Sequence, residues 1–246
     1  MDKMIIHKEI KNYTINIFKD KDEIFLNLAN FIEKEINQSL REKNRFQFCV
    51  SGGSTPKPVY SSLSKKELPW ERVDVFLGDE RFVSPKSKES NSLMLRKSLL
   101  NNFGAKASFY EIFNEGFIDE NIAKENFEKE LMKKCSGNPP VFDLTLLGLG
   151  NDGHTASLFP YKTNNSSEDL VIYSYGNGLK RISLTPKILS HSNKVVFLVC
   201  GSTKQIALKR LIDSNESFER TPAKLINPNS QILVFTDLEA SKDLVI

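Results

Sequence analysis

Tryptophan occurs once in these 246 residues, histidine and cysteine three times each, and no apolar run approaches the ~20 residues of a membrane helix. The three cysteines (Cys49, Cys135, Cys200) are odd in number and lack the spacing of metal ligands. Cys49 and Cys200 fall in apolar runs, as buried free thiols do. An excess of one charge is missing too. Lys+Arg 34 against Asp+Glu 31 leaves a net +3, and no basic run is interleaved with aromatics, which argues against a nucleic-acid partner. The opening MDKMIIHKEIKNY has no apolar core of a secretory signal. The expectation is a cytoplasmic protein with no membrane or nucleic-acid partner.

What is present is an ordinary globular composition, 39% hydrophobic and 26% charged, which argues against disorder. The length suits one α/β domain over residues 1–246, with no second core required. Neither an internal repeat nor a clear linker interrupts it.

Read in order, 13–18 alternates as a first strand. Asp20 with Glu23 forms a capping-box pattern, and Ile24, Leu28, Ile32, Ile36 and Leu40 then mark one stripe of a long helix. A strand at 46–50 runs into Ser51-Gly52-Gly53-Ser54-Thr55-Pro56, where two glycines and three hydroxyls precede a helix opened by proline. Free N–H groups at such a start attract anions, so this loop is either a phosphate cradle or a plain Ser/Thr cap. A strand at 73–77 ends in Gly78-Asp79-Glu80-Arg81, and Arg81 suits bidentate contact with an oxyanion. Ser90-Asn91 opens a helix reaching Leu100, and 107–112 is a short strand. A helix from 119 to about 132 turns Ile122, Phe127 and Leu131 inward. The polar stretch 163–169 reads as a mobile surface segment. Strands at 171–175 and 179–184 form a hairpin around Gly176-Asn177-Gly178, taken as the positive-φ residues of its turn, with Arg181 in the second strand. Thr185-Pro186 opens a short helix that ends near His191. A fully apolar strand at 195–200 precedes Gly201-Ser202-Thr203-Lys204, and a last strand covers 232–235. Lys204 at a helix start opposes the dipole unless an anion binds there.

The centre of the pattern is LLGLGNDGHTASLFP, residues 146–160, which follows a buried strand at 141–147. Gly148, Gly150 and Gly153 surround Asp152 and His154. Gly148 to Gly153 matches the G-x-G-x-x-G dinucleotide fingerprint letter for letter. Pro160 nevertheless cuts short the long helix that the fingerprint needs, and Glu168-Asp169 precede the next apolar run instead of ending it, which argues against a nicotinamide cofactor. In a mostly parallel sheet the four loops at 51–55, 78–81, 148–154 and 201–204 gather on one edge, where they would form a pocket with anion donors, one His and two Asp.

SGGSTP, GDERFV with SN after it, LLGLGNDGHTASLFP, RISLTP, VVFLVCGSTK and a late PAKLI together resemble the 6-phosphogluconolactonase family, in order and spacing, from about residue 10 to 240. The resemblance implies a Rossmann-like α/β domain with a mostly parallel sheet flanked by helices, related to the glucosamine-6-phosphate deaminases. It implies hydrolysis of 6-phosphoglucono-1,5-lactone in the oxidative pentose phosphate pathway, with no metal or organic cofactor and a small sugar-phosphate lactone as partner; a monomer is the separate expectation. Position by position, His154 matches the family's general base and Asp152 its companion. Gly52, Gly53, Ser54 and Thr55 match the sugar-phosphate loop; Arg81, Arg181 and Lys204 match the cations around the ester and carboxylate, with Asp79 beside them. Ser183 stands where the family more often has Thr, and the C-terminal stretch lacks a Gly and a Trp often seen there. Two alternatives stay open. An aminosugar-phosphate deaminase would need an acid a few residues after the His, where this chain has Phe159. A non-catalytic sugar-phosphate sensor would usually carry a DNA-binding segment, and no helix-turn-helix pattern precedes residue 45.

Overall fold

The structure is a computed structural model, and it describes residues 4–113, 119–162 and 168–244. The chain begins with β1 (Met4–Ile10), β2 (Tyr13–Phe18), α1 (Lys21–Glu42), β3 (Phe46–Val50), α2 (Lys57–Leu63), β4 (Val73–Leu77) and β5 (Asp79–Arg81). It continues through α3 (Asn91–Ser98), β6 (Ser108–Tyr110), α4 (Glu120–Lys134), β7 (Leu144–Gly148), β8 (Val171–Gly176) and β9 (Leu179–Leu184). The last elements are α5 (Pro186–Ser190), β10 (Val195–Val199), α6 (Gln205–Ile212) and β11 (Ile232–Asp237).

The main sheet has the order β1-β2-β11-β10-β7-β3-β4-β6. Its pairings are parallel except at the edge, where β1 runs antiparallel to β2. Strands β3, β4 and β10 are buried along their whole length. Helices cover both faces of a parallel sheet, so β10 reads as a continuous apolar run and β3 and β4 are broken only by the buried Gln47 and Asp74. The stripe Ile24, Leu28, Ile32, Ile36, Leu40 of α1 is buried against it, as the four-residue spacing requires. At the start of α1 the Asp20 carboxylate accepts the Glu23 N–H at 3.1 Å, while the Glu23 carboxylate accepts the Lys19 N–H at 3.2 Å. The reciprocal bond thus falls one residue earlier than in a standard capping box.

A second, antiparallel sheet of order β5-β9-β8 stands at the carboxyl edge of the first. Gly78 is the junction. Its N–H donates to Val50 O at 2.9 Å in the main sheet, and its carbonyl accepts from Leu184 N at 2.9 Å in the small one. The chain therefore changes sheets between Leu77 and Asp79, which pairs Arg81 with Arg181 and Asp79 with Ser183.

Several details depart from the sequence reading. β1 was not foreseen, and neither was β5, whose three residues pair only because β9 lies alongside. Ile122 is 53% exposed; Ala123, Phe127 and Leu131 form the buried stripe of α4 instead. The strand expected from 141 starts at Leu144. Pro56 is the cap of α2 and not its first helical residue. In the hairpin, positive φ falls on Asn177 (52°) and Gly178 (77°), while Gly176 ends β8. Of the polar stretch 163–169, residues 163–167 lie outside the described residues.

Candidate active site

The loops after β3, β4, β7 and β10 line one cavity of about 540 Å³. It includes every residue singled out from the sequence: Gly52, Gly53, Ser54, Thr55, Asp79, Arg81, Asp152, His154, Arg181 and Lys204. The carboxyl ends of parallel strands carry most of them there, because the helices return each chain segment to the other edge, while Asp79, Arg81 and Arg181 come from the small antiparallel sheet.

His154 is held by its own loop. Its Nδ1 lies 2.5 Å from Asp152 Oδ1, and its backbone N–H donates to the same oxygen at 3.1 Å. Burial alone would raise the Asp152 carboxyl. The backbone hydrogen bond and the neighbouring imidazole outweigh that and hold it below the ordinary carboxylate value. An ionised Asp152 can only accept, so Nδ1 donates, and in a neutral imidazole the lone pair is then on Nε2. Gly150 is required at close range: a Cβ there would sit 2.1 Å from His154 Nδ1. Its N–H donates to His154 O at 2.7 Å and its carbonyl accepts from Gly153 N at 3.0 Å, closing the loop on itself. Gly153, at φ +95°, rests on Thr221, and Ala223 N donates to its carbonyl at 3.1 Å. The PAKLI segment thus braces the histidine loop from behind. The imidazole is 26% exposed, at the cavity wall and not in the core.

Asp79 is built differently. It is buried, accepts from Ser157 Oγ at 2.5 Å, and lies 3.6 Å from Arg181 Nη1. Arg181, 6% exposed, also donates from Nε to Gly176 O at 3.3 Å, and burial lowers its pKa. Arg81 donates to Glu89 O at 2.7 Å, but its Nε is buried with no partner among the described residues. The neighbouring Glu80 anchors this corner. Its carboxylate accepts the backbone N–H groups of Arg81 and Asn91, each at 2.8 Å, and of Ser92 at 2.7 Å. It thereby satisfies orphan donors at the start of α3. Burial still pushes the Glu80 carboxyl up, against those bonds.

The Lys204 ammonium makes no hydrogen bond or ion pair among the described residues, while its backbone N–H donates to Gly201 O at 3.0 Å; burial lowers its pKa and Asp152 opposes that shift. The preceding Gly201, at φ +92°, is fixed by Asp237, whose two carboxylate oxygens accept its N–H at 3.0 and 2.9 Å. Cys200 also lines the cavity, but burial pushes its thiol up to about 12, so it stays protonated at neutral pH. The three cysteines are free and buried. No group of three His, Cys, Asp or Glu able to hold a metal ion occurs among the described residues, nor is any helix there long and apolar enough to cross a membrane.

Sequence reasoning missed Asn91, Ser157 and Phe159. Asn91 is buried in the cavity wall, where its Nδ2 donates to Asp79 O at 2.8 Å. A Cβ on Gly52 would lie 2.0 Å from its Oδ1, so that glycine serves close packing as well as any anion. The SN pair after GDERFV was the available signal. Ser157 and Phe159 lie inside the histidine motif, but nothing local shows which groups they meet.

These features define a class: an α/β protein with a cation-lined cavity at the carboxyl ends of its parallel strands, where open α/β sheets take small ligands. The sequence matches the family model described as glucosamine-6-phosphate isomerases/6-phosphogluconolactonase over residues 19–235, and the chain belongs to that family. A 6-phosphogluconolactonase of Nostoc sp. is 32% identical over 238 residues, covering 94% of this chain and 98% of that protein. One of Synechocystis sp. is 34% identical over 218 residues, covering 87% and 90%. A solved 6-phosphogluconolactonase from Shewanella baltica superposes with a TM-score of 0.84 at 26% identity, covering 94% of this chain and all of that one.

Proposed function

We propose that this chain is a lactone hydrolase that converts 6-phosphoglucono-1,5-lactone to 6-phosphogluconate, the reaction of the relatives named above. The observation that carries the reading is the His154–Asp152 pair at 2.5 Å on the wall of a cavity that Arg81 and Lys204 also line. In this reading Nε2 of His154 takes a proton from water as the water oxygen attacks the lactone carbonyl carbon. The bond from that carbon to the ring oxygen then breaks, and the imidazolium returns its proton to the departing oxygen. The new carboxylic acid ionises and releases acid. Asp152 keeps the imidazole in the tautomer that accepts at Nε2 and stabilises its cation.

The oxyanion needs a donor that is not already saturated. Arg81 is one candidate, because its side chain lines the cavity. Such a donor is typically worth about 2.7–4 kcal/mol. Backbone N–H groups of the glycine loops are the other candidates. Gly52, Gly53, Ser54 and Thr55 would cradle the phosphate, with Lys204 supplying charge. Arg181 and Asp79 would shape the wall that meets the sugar.

We further propose that the enzyme works as a one-domain monomer in the cytoplasm. Buried free thiols suit a reducing compartment. The test is acid release from freshly generated 6-phosphoglucono-1,5-lactone, followed with a pH indicator with and without the protein. Accelerated release is expected; a rate equal to the spontaneous background would overturn the assignment.

A further inference from the structure

The sequence reading treated Phe159 only as the residue standing where a deaminase would carry an acid. Its ring is 6% exposed, and three groups converge on it. The His154 ring packs against it with centroids 4.8 Å apart and planes inclined by 41°. The Arg181 guanidinium carbon lies 5.3 Å from its centroid. The third is the backbone of Gly176: a Cβ built there would come within 2.2 Å of the Phe159 ring carbons Cε2 and Cζ. Gly176 does not have positive φ, so the turn does not demand glycine at this position. The ring does.

We infer that Phe159 is a positioning residue, a rigid platform that sets the orientation of the His154 imidazole, and that Gly176 is glycine to let that ring lie flat in place. The inference rests on the reading of His154 as the base. Asp152 fixes the imidazole at Nδ1 but leaves rotation about that contact open, and the Phe159 ring closes it. The ring is itself over-determined. Ala156, at φ 46°, and the Leu158 N–H donated to Thr155 O at 2.9 Å turn the chain tightly just before it. Gly176 O in turn accepts from Arg181 Nε, so the backbone that packs on the ring is tied to the same guanidinium. A base displaced by an ångström loses near-attack geometry, which can cost up to about 100-fold.

The test uses the full chain and four variants: Phe159→Leu, Gly176→Ala, the double variant, and His154→Ala as control. In Phe159→Leu, kcat is expected to fall about 10- to 100-fold with KM within about twofold, because orientation and not ground-state binding is lost. Gly176→Ala pushes on the ring from outside the cavity and should reproduce that split with a lower Tm. The double variant makes room for the new methyl, so Tm should recover while kcat stays low. Recovery of kcat together with Tm would reduce Phe159 to a space-filler and overturn the inference. So would unchanged kcat in both single variants while His154→Ala is inactive. An active His154→Ala would instead remove the base reading on which the inference stands.

Discussion

Two carboxylates face the same cavity and are held in opposite ways. Asp152 is half exposed and shares one oxygen between the backbone N–H and the imidazole of His154. Asp79 is buried and meets Ser157 and the equally buried Arg181. The first pair sits where water screens it and a proton can come and go. In the second, two charges have been taken out of water and each is needed to compensate the other. In the proposed reading one pair turns over and the other holds the wall, so proximity to the cavity does not by itself make a residue part of the chemistry.

Substitutions can break this contrast or sharpen it. The largest expected effect is His154→Ala, a loss of about 10²–10⁴ in kcat with the chain still folded and inorganic phosphate still competing for the site. Steady-state kinetics corrected for spontaneous hydrolysis decide it. Next is Asp79→Asn, which strands the Arg181 charge and should cost about 3–5 kcal/mol of stability. Urea unfolding measures this, and a loss as small as that of a surface change would show that Asp79 belongs with Asp152. Lys204→Ala should raise KM about tenfold, the value of one charge-assisted hydrogen bond, with kcat nearly kept. An unaltered KM would remove Lys204 from phosphate binding.

The smallest effect is the pH dependence carried by Asp152. Its carboxyl sits below the ordinary value of 3.8 in the folded chain. A lowered carboxylate adds stability that is complete above its unfolded pKa and disappears as pH falls through the native one. The stability difference between the protein and Asp152→Asn should thus shrink as pH falls below about pH 4. Unfolding curves from neutral to acid pH check it, and a difference that persisted undiminished at about pH 3 would show that the fold does not hold this carboxyl low.

Much of this was legible from local pattern alone. The stripe of α1, the mostly apolar β3 and β4, the fully apolar β10, and the glycines that let loops turn at strand ends each depend on neighbours within a few residues. So does the His154–Asp152 pair, two residues apart. What failed was of another kind. Ile122 looked inward because its helix shows a weak stripe that only packing resolves. Gly176 looked like a turn residue because nothing nearby shows the ring lying on it.

The sequence by itself determined where strands end in glycine-rich loops and which side chains of chemical interest those loops carry, since φ preference and hydrophobic period act over short spans. Only the tertiary structure decided that Asp79 meets Ser157 across 78 residues, that Asn91 fills the space above Gly52, and that Phe159 lies under His154. The first two contacts join segments brought together where the chain changes sheet at Gly78, which leaves no mark on the residues close by, and the third depends on how a short loop folds back on itself.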